Sequence, residues 1–436
     1  MDKKTQEGLF ELYAKDPIEA DKKVFGRVSK PDRRGFLKGA GLTAMAAAVG
    51  GLIPFHRNMP GGMIPAAYAG ELDHFEIKGK DGLTVLNDRP LNAETPAHLL
   101  DDPITPTERH FIRNNGIPPK TVDASTWTLT IDGFVDKPLE LSIDDLKKNF
   151  EVVESALVIE CGGNGRASFE PKAKGNQWSN GAVACAKWKG VRLADVLKAA
   201  GVQKEAVYTA HYSADSHLSG KEGKLPISRG LPIEKALGEE NLIAFEMNGA
   251  PIHPMNGAPL RLVVPGWPGS CSQKWLQKIT VRNQIHDGPK MTGTAYRVPN
   301  RPVSPGEKVD KKDFNIIERM PVKSIITFPS NNTQLAGNSS EIRGHAWSGD
   351  RTVKSVQISI DFGATWIDAE LDKPINNGAW QNFRANITFP QNGYYEVWAK
   401  ATDDKEVSQP FAIAWNPKGY LNNSFHRVAL TVAAEA

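Results

Sequence analysis

The sequence predicts an α+β chain: a mixed α/β domain over residues 70–310, then an immunoglobulin-like β-sandwich over residues 311–436. Three observations carry this expectation. The chain has 436 residues, more than one domain of roughly 100–200 residues needs. From Trp127, short strand-like and helix-like segments alternate. Near residue 315 the helical texture stops, and short alternating segments recur at strand spacing over about 115 residues, the size of an immunoglobulin-like domain.

The elements follow in order. Residues 70–125 read as loop-rich, with turn signals at Asp81-Gly82, Arg89-Pro90, Pro103 and Pro118-Pro119. Trp127 to Gly133 reads as a strand entering a turn. Ser142 is placed to cap a helix, with Asp145 three residues on to return the bond. Ala156 to Ile159 is an apolar, strand-like run that stops at Cys161-Gly162-Gly163. Leu193 to Gly201 predicts a helix closed by Gly201 as its C-cap. Leu260 to Val264 is a strand ended by Pro265-Gly266, and Pro-rich Val298 to Gly306 reads as a linker. In the sandwich, Ser355 to Ile360 and Tyr394 to Ala399 are strands bounded by Asp361-Phe362-Gly363 and Gln391-Asn392-Gly393.

Ahead of these, Arg33-Arg34-Gly35-Phe36-Leu37 precedes a weakly hydrophobic run to Pro54, and Ala67-Tyr68-Ala69 offers a small-x-small cleavage site. This resembles a twin-arginine export signal, so residues 1–69 are expected to be a cleaved leader read by that export machinery, with the mature chain in the periplasm. Such export carries folded proteins, often loaded with cofactor. A membrane span is not expected in the mature chain. The net charge of +3 is too small to argue for an anionic polymer, and no nucleic-acid partner is expected. Cys161, Cys185 and Cys271 are an odd set, so at least one thiol is free. Without a Cys-x-x-Cys-His run, no c-type haem is expected on this chain.

Cys161 carries the most chemistry. A thiol at a strand end, on a glycine turn, is aimed outward and reads three ways: a buried apolar residue, a ligand for a soft metal, or a nucleophile. Cys185 and Cys271 read as packing. Around Cys161, a set of motifs occurs in order: His110-Phe111-Ile112-Arg113-Asn114-Asn115-Gly116, Cys161-Gly162-Gly163-Asn164-Gly165-Arg166, Trp178-Ser179-Asn180-Gly181, Val263-Val264-Pro265-Gly266-Trp267 with Lys274-Trp275-Leu276, Gly344-His345-Ala346-Trp347, Ser359-x-Asp361-x-Gly363-Ala364-Thr365-Trp366 and Trp415-Asn416-Pro417-Lys418-Gly419-Tyr420. Together they resemble the sulfite oxidase family over about residues 75–436: its molybdenum-cofactor domain, then its dimerisation domain.

The resemblance implies roles. Cys161 would be the single protein ligand to molybdenum, whose other sulfur ligands come from a pyranopterin dithiolene. Arg113, Arg166 and Lys418 would gather a small sulfur oxyanion, with Trp178 lining the pocket and Tyr296 beside the reacting oxygen. Arg261, His110 and Asn114 would hold the pterin. Trp347 and Trp366 would serve sandwich core or dimer contact. Guanidinium forks suit oxyanions, although any one arginine alone is as easily a surface ion pair. Three positions depart from the family: Asn115 and Asn256 stand where histidines are usual, and Lys418 replaces an arginine. The implied activity is periplasmic oxidation of sulfite to sulfate by a homodimer, with electrons passed to an external c-type cytochrome. A sulfane-sulfur dehydrogenase subunit, a reductase and a cofactor-free scaffold are the alternatives.

Overall fold

A small antiparallel sheet stands where a loop-rich stretch is expected. Strands β1 (Thr84–Asp88), β2 (Leu91–Glu94) and β3 (Ile112–Arg113) pair in that order around Ala93 and Ile112. Strands this short carry too few side chains to show an alternation, so only their turns are visible in sequence. The computed structural model describes residues 77–433 together with Asp16 and Glu19, and the expected leader lies outside the described residues.

The first large domain continues through β4 (Thr128–Gly133), β5 (Leu139–Ser142), α1 (Ile143–Asn149), β6 (Val152–Glu160), β7 (Val183–Arg192), α2 (Leu193–Ala200), β8 (Tyr208–Ser213), α3 (Ile233–Ala236), β9 (Leu242–Met247), β10 (Ala250–Pro251), β11 (Arg261–Val263) and β12 (Leu276–Arg282). One sheet runs β10-β9-β7-β6 with β11 also on β9, and a second runs β5-β4-β12-β8. The expected caps form. Asp145 N–H donates to Ser142 Oγ at 3.0 Å while the Asp145 carboxylate accepts from the Ser142 N–H at 3.0 Å, and Gly201 ends α2 at φ +70°. Helix α2 buries Leu193, Val196 and Leu197 between the sheets.

Strand β6 explains its own apolar run. Its first residues alternate, but from Ala156 every residue is buried, because both faces become covered. Leu157 and Ile159 pack with Phe111, Trp178 and Trp188. Ala156 and Val158 pack with Ile325, Trp347 and Trp380 of the sandwich. Trp347 therefore belongs to the seam between domains, neither to the sandwich core nor to an outer face.

Strands β13 (Arg297–Pro299) and β14 (Phe314–Ile316) pair antiparallel, so the stretch expected to be a linker begins inside a ladder. The sandwich then comprises β15 (Val322–Phe328), β16 (Thr333–Ala336), β17 (Ser339–Ser348), β18 (Val353–Ser359), β19 (Ile367–Asp368), β20 (Glu370–Leu371), β21 (Gln381–Thr388), β22 (Gly393–Asp403) and β23 (His426–Ala433). Its sheets, β15-β17-β21-β20 and β16-β23-β22-β18-β19, enclose Val322, Ile342, Val356, Phe383, Val397 and Leu430. Among the described residues no helix is long and apolar enough to cross a membrane.

Candidate active site

Cys161 leaves β6 on a tight turn. Its N–H still donates to Ala182 O at 2.9 Å, continuing the ladder, while its carbonyl accepts from Asn164 N–H at 2.8 Å and reverses the chain. Gly165 sits at φ +91°, a left-handed conformation that suits glycine. Gly163 is needed for space, since a Cβ there would lie 2.2 Å from Arg166 Nη2. The thiol is free and slightly exposed, whereas Cys185 and Cys271 are fully buried, and burial pushes the Cys185 thiol up to about 12.

A narrow cleft opens at Cys161, and His110, Arg113, Arg261 and Tyr296 share its wall. Arg113 Nη2 donates to Tyr296 Oη at 3.3 Å and to Asn115 Oδ1 at 2.9 Å, and Tyr296 Oη donates to the same Oδ1 at 3.2 Å. Burial opposes the Arg113 charge, but the facing Tyr296, Cys161 and Tyr420 groups outweigh it and raise its pKa. Tyr296 is held at φ +52°, rare for a bulky residue. Its ring stacks on Tyr420 at 5.7 Å, and the Arg229 guanidinium lies 5.1 Å from it.

The other end of the cleft is cationic. Arg261 Nη1 donates to Asn256 O at 2.7 Å. Lys274 Nζ bonds Met255 O at 2.8 Å and also Asn114 Oδ1, which is how Asn114 reaches the cleft. Behind them, Lys80 Nζ bonds His110 O at 3.0 Å and the Asn256 side chain. Burial, then the neighbouring charges, pushes Lys274 well down. Burial lowers Arg261 to about 9 and Lys80 to about 7, and it keeps His110 neutral, with Lys80 and Arg261 adding to the effect. The nearby Asp215 carboxyl is raised by burial.

Arg166, Trp178 and Lys418 do not line this cleft. Arg166 is buried, its Nε donating to Lys418 O at 2.6 Å and its Nη1 to Asn176 O at 2.7 Å, with its guanidinium 5.1 Å from the Tyr420 ring. Lys418 thus contributes its carbonyl to Arg166, while burial and Lys174 depress its half-buried ammonium. Trp178 is fully buried in the cluster that holds Phe111 and Cys161. Sequence reasoning missed Lys80, Asp215 and the role of Lys274. Lys274 was visible within a motif, whereas Lys80 comes to back the wall only through contacts up to 176 residues away.

The donor set defines the occupant. Buried cations without carboxylate partners are unfavourable until an anion fills the space. Buried polar atoms also lack partners there: His110 Nε2, Asn114 Nδ2, Arg261 Nε, Ser270 Oγ and Gln273 Oε1. Among the described residues no three His, Cys, Asp or Glu side chains gather to hold a metal. Cys161 has no such cluster around it, which suits a metal whose other ligands come from a non-protein group. An anionic, heteroatom-rich organic ligand that carries a soft metal fits these residues.

Comparison with known proteins agrees. Residues 115–290 match an oxidoreductase molybdopterin binding domain, and residues 314–433 match a Mo-co oxidoreductase dimerisation domain. The chain is 33% identical to mitochondrial sulfite oxidase from Rattus norvegicus, over 80% of this chain and 66% of that protein, so it spans just under two thirds of the rat relative. It is 32% identical to sulfite oxidase from Gallus gallus, over 79% of this chain and 77% of that protein. A nitrate reductase from Hordeum vulgare matches at 29% identity, over 79% of this chain and 41% of that protein. Among solved structures, the sulfane dehydrogenase SoxCD from Paracoccus pantotrophus superposes with a TM-score of 0.68 at 26% identity, covering 87% of this chain and 95% of that one. The matched domains, the relatives and the cleft converge: this chain belongs to the sulfite oxidase family of molybdopterin-dependent oxidoreductases.

Proposed function

We propose that the protein oxidises sulfite to sulfate in the periplasm and passes the electrons to an external c-type cytochrome. The observation that carries the reading is the convergence of a free thiol, Cys161, with Arg113 and Tyr296 on one cleft whose far end is cationic. Cys161 would ligate molybdenum, and Arg261, Lys274, His110 and Asn114 would hold the anionic organic part, with Lys80 backing His110 and Asn256. When bound, that group supplies the two-electron redox chemistry and the transferred oxygen.

The chain supplies the rest. Arg113 presents a permanent charge to a small dianion, and Asn115 fixes the orientation of its fork. The Tyr296 phenol holds a proton beside the same position, with its donor direction set by Asn115. Burial of the wall strengthens these charge–dipole contacts by keeping water out. Arg166 is buttressed behind Tyr420 and adds positive potential from the second layer of the wall. The periplasmic location is supported by the paired arginines and the cleavage-site pattern in residues 1–69. An external acceptor is supported by the lack of a haem-attachment run in this sequence.

A sulfane-sulfur substrate is the second reading, favoured by the likeness to SoxCD and by Asn115, which removes a titratable group from the pocket. One experiment separates them. The purified protein is analysed for molybdenum and pterin, then assayed for cytochrome c and ferricyanide reduction with sulfite, thiosulfate and persulfides, and for nitrate reduction. Sulfite turnover that disappears in Cys161→Ser together with the molybdenum is the expected result. Metal-free, pterin-free wild-type protein would sink the reading.

A further inference from the structure

The residue before Cys161 carries a buried charge that faces away from the cleft. Glu160 is 2% exposed, and its carboxylate takes three donors. Asn164 Nδ2 at 3.0 Å and Lys323 Nζ at 3.1 Å bond Oε1, and Trp347 Nε1 bonds Oε2 at 2.8 Å. Lys323 is also buried and donates a second bond, to Asn164 O at 3.1 Å. Asn164 Oδ1 in turn accepts from Ala182 N–H at 3.1 Å, and Ala182 O accepts from the Cys161 N–H. The two ends of the turn 161–164, Cys161 and Asn164, are therefore tied into one hydrogen-bond network.

Two members of that network belong to the other domain. Lys323 lies at the start of β15 and Trp347 near the end of β17, and they stand opposite each other in the ladder. The sandwich thus reaches across the seam with a paired ammonium and indole to grip the strand end that carries the thiol. Apolar side chains of the same volume would pack this seam at least as stably as a buried ion pair. What the pair supplies instead is direction. It fixes where Glu160 and Asn164 stand, and through them where the turn between them points the Cys161 side chain.

We propose that Lys323 and Trp347 are positioning residues for Cys161. The sandwich domain, through Glu160 and Asn164, holds the thiol turn in the geometry that accepts the metal and limits the excursions of the free thiol until then. The consequence for metal uptake rests on the reading of Cys161 as the ligand, whereas the positioning itself does not.

The test uses the full chain made in a host unable to synthesise the pterin, so that Cys161 is free. Iodoacetamide alkylation is followed cysteine by cysteine by mass spectrometry. Trp347→Phe removes one donor and keeps an aromatic ring. The double variant Glu160→Gln/Lys323→Met keeps the seam neutral and filled, in case Lys323→Met alone does not fold. Both are expected to speed alkylation of Cys161 by about fivefold or more, the scale of one net hydrogen bond, while Cys185 and Cys271 react as in the wild type. In a cofactor-competent host both variants should also hold less molybdenum per chain. A Cys161 rate within about twofold of wild type in both variants overturns the proposal. So does an equal acceleration of all three cysteines, which marks general loosening. If wild-type protein from the competent host holds no molybdenum, the functional reading fails while the alkylation contrast still decides the positioning.

Discussion

Arg113 and Tyr296 meet at 3.3 Å beside Cys161, guanidinium to phenol oxygen, and both also bond the Asn115 side-chain oxygen. The triangle fixes a charge and a proton on one side of the cleft. Arg113→Gln is expected to raise KM for sulfite by about 10- to 100-fold, the scale of a charge-assisted hydrogen bond. Tyr296→Phe is expected to lower kcat by about tenfold with a smaller change in KM. Steady-state kinetics check both, and an unchanged kcat in Tyr296→Phe would reduce the phenol to a packing role.

Gly163→Ala tests the wrapping of Arg166. The new Cβ meets Arg166 Nη2 and Cζ at 2.2 and 2.6 Å, and Gly175 and Gly419 close the other sides. The guanidinium has to leave its bonds to Lys418 O and Asn176 O. We expect a loss of about 1–3 kcal/mol in urea denaturation, as for other overpacked sites. The effect on KM should not add to that of Arg166→Gln, because both changes act through one side chain.

Four histidines, His211, His286 and His345 buried and His426 partly buried, make the fold sensitive to acid. Burial, the first cause in each case, lowers His345, His286 and His426 to about 4 and His211 to about 3. Above the ordinary value of 6.5, folded and unfolded chains are both neutral at these sites, so stability is flat. Below it the unfolded chain takes up protons that the folded chain refuses, so stability falls with pH until the folded values are passed. His345, stacked on Trp380 at 4.0 Å, should account for roughly 2–4 kcal/mol of that loss. Urea titrations from pH 7.5 to about pH 4.5 check this, and His345→Gln should flatten the slope.

The dimerisation domain carries an aromatic face in which Phe362 and Phe411 are 67% and 51% exposed. Both pack against Trp398, and Arg427 lies 4.8 Å from the Phe411 ring. An exposed aromatic cluster with a cation is suited to a protein contact. Phe362→Ser with Phe411→Ser is expected to weaken self-association by about thirtyfold or more. Light scattering across a dilution series reads this directly, and an unchanged mass would place the contact elsewhere.

Local signals were the legible ones. Ser142 and Asp145 announce a helix start, Gly201 a helix end, and the apolar run into Cys161 a strand aimed at a turn, because each depends on neighbours a few residues away. The resemblance supplied Arg113, Tyr296, His110 and Arg261, which share one cleft. Long-range placement was hidden. Nothing near Lys80 announces its bond to Asn256, and the string Trp415 to Tyr420 does not show that Lys418 presents a carbonyl to Arg166. Trp347 reads as an ordinary strand residue until its partner strand is seen to carry Lys323 toward Glu160.

The Cys161 turn is braced from far downstream. Leu421 N–H donates to Gly162 O at 2.9 Å, Asn422 Nδ2 donates to Gly165 O at 2.8 Å, and Tyr420 supports Tyr296 from 124 residues later in the chain. Domains fold in the order in which the ribosome releases them, so the first domain emerges with the cleft-lining residues His110 to Tyr296 present but its thiol loop unbraced. That bracing is complete only after most of the sandwich has been translated. A message truncated within the sandwich yields a first domain with the thiol and the cleft lining in place but without the contacts that brace the turn.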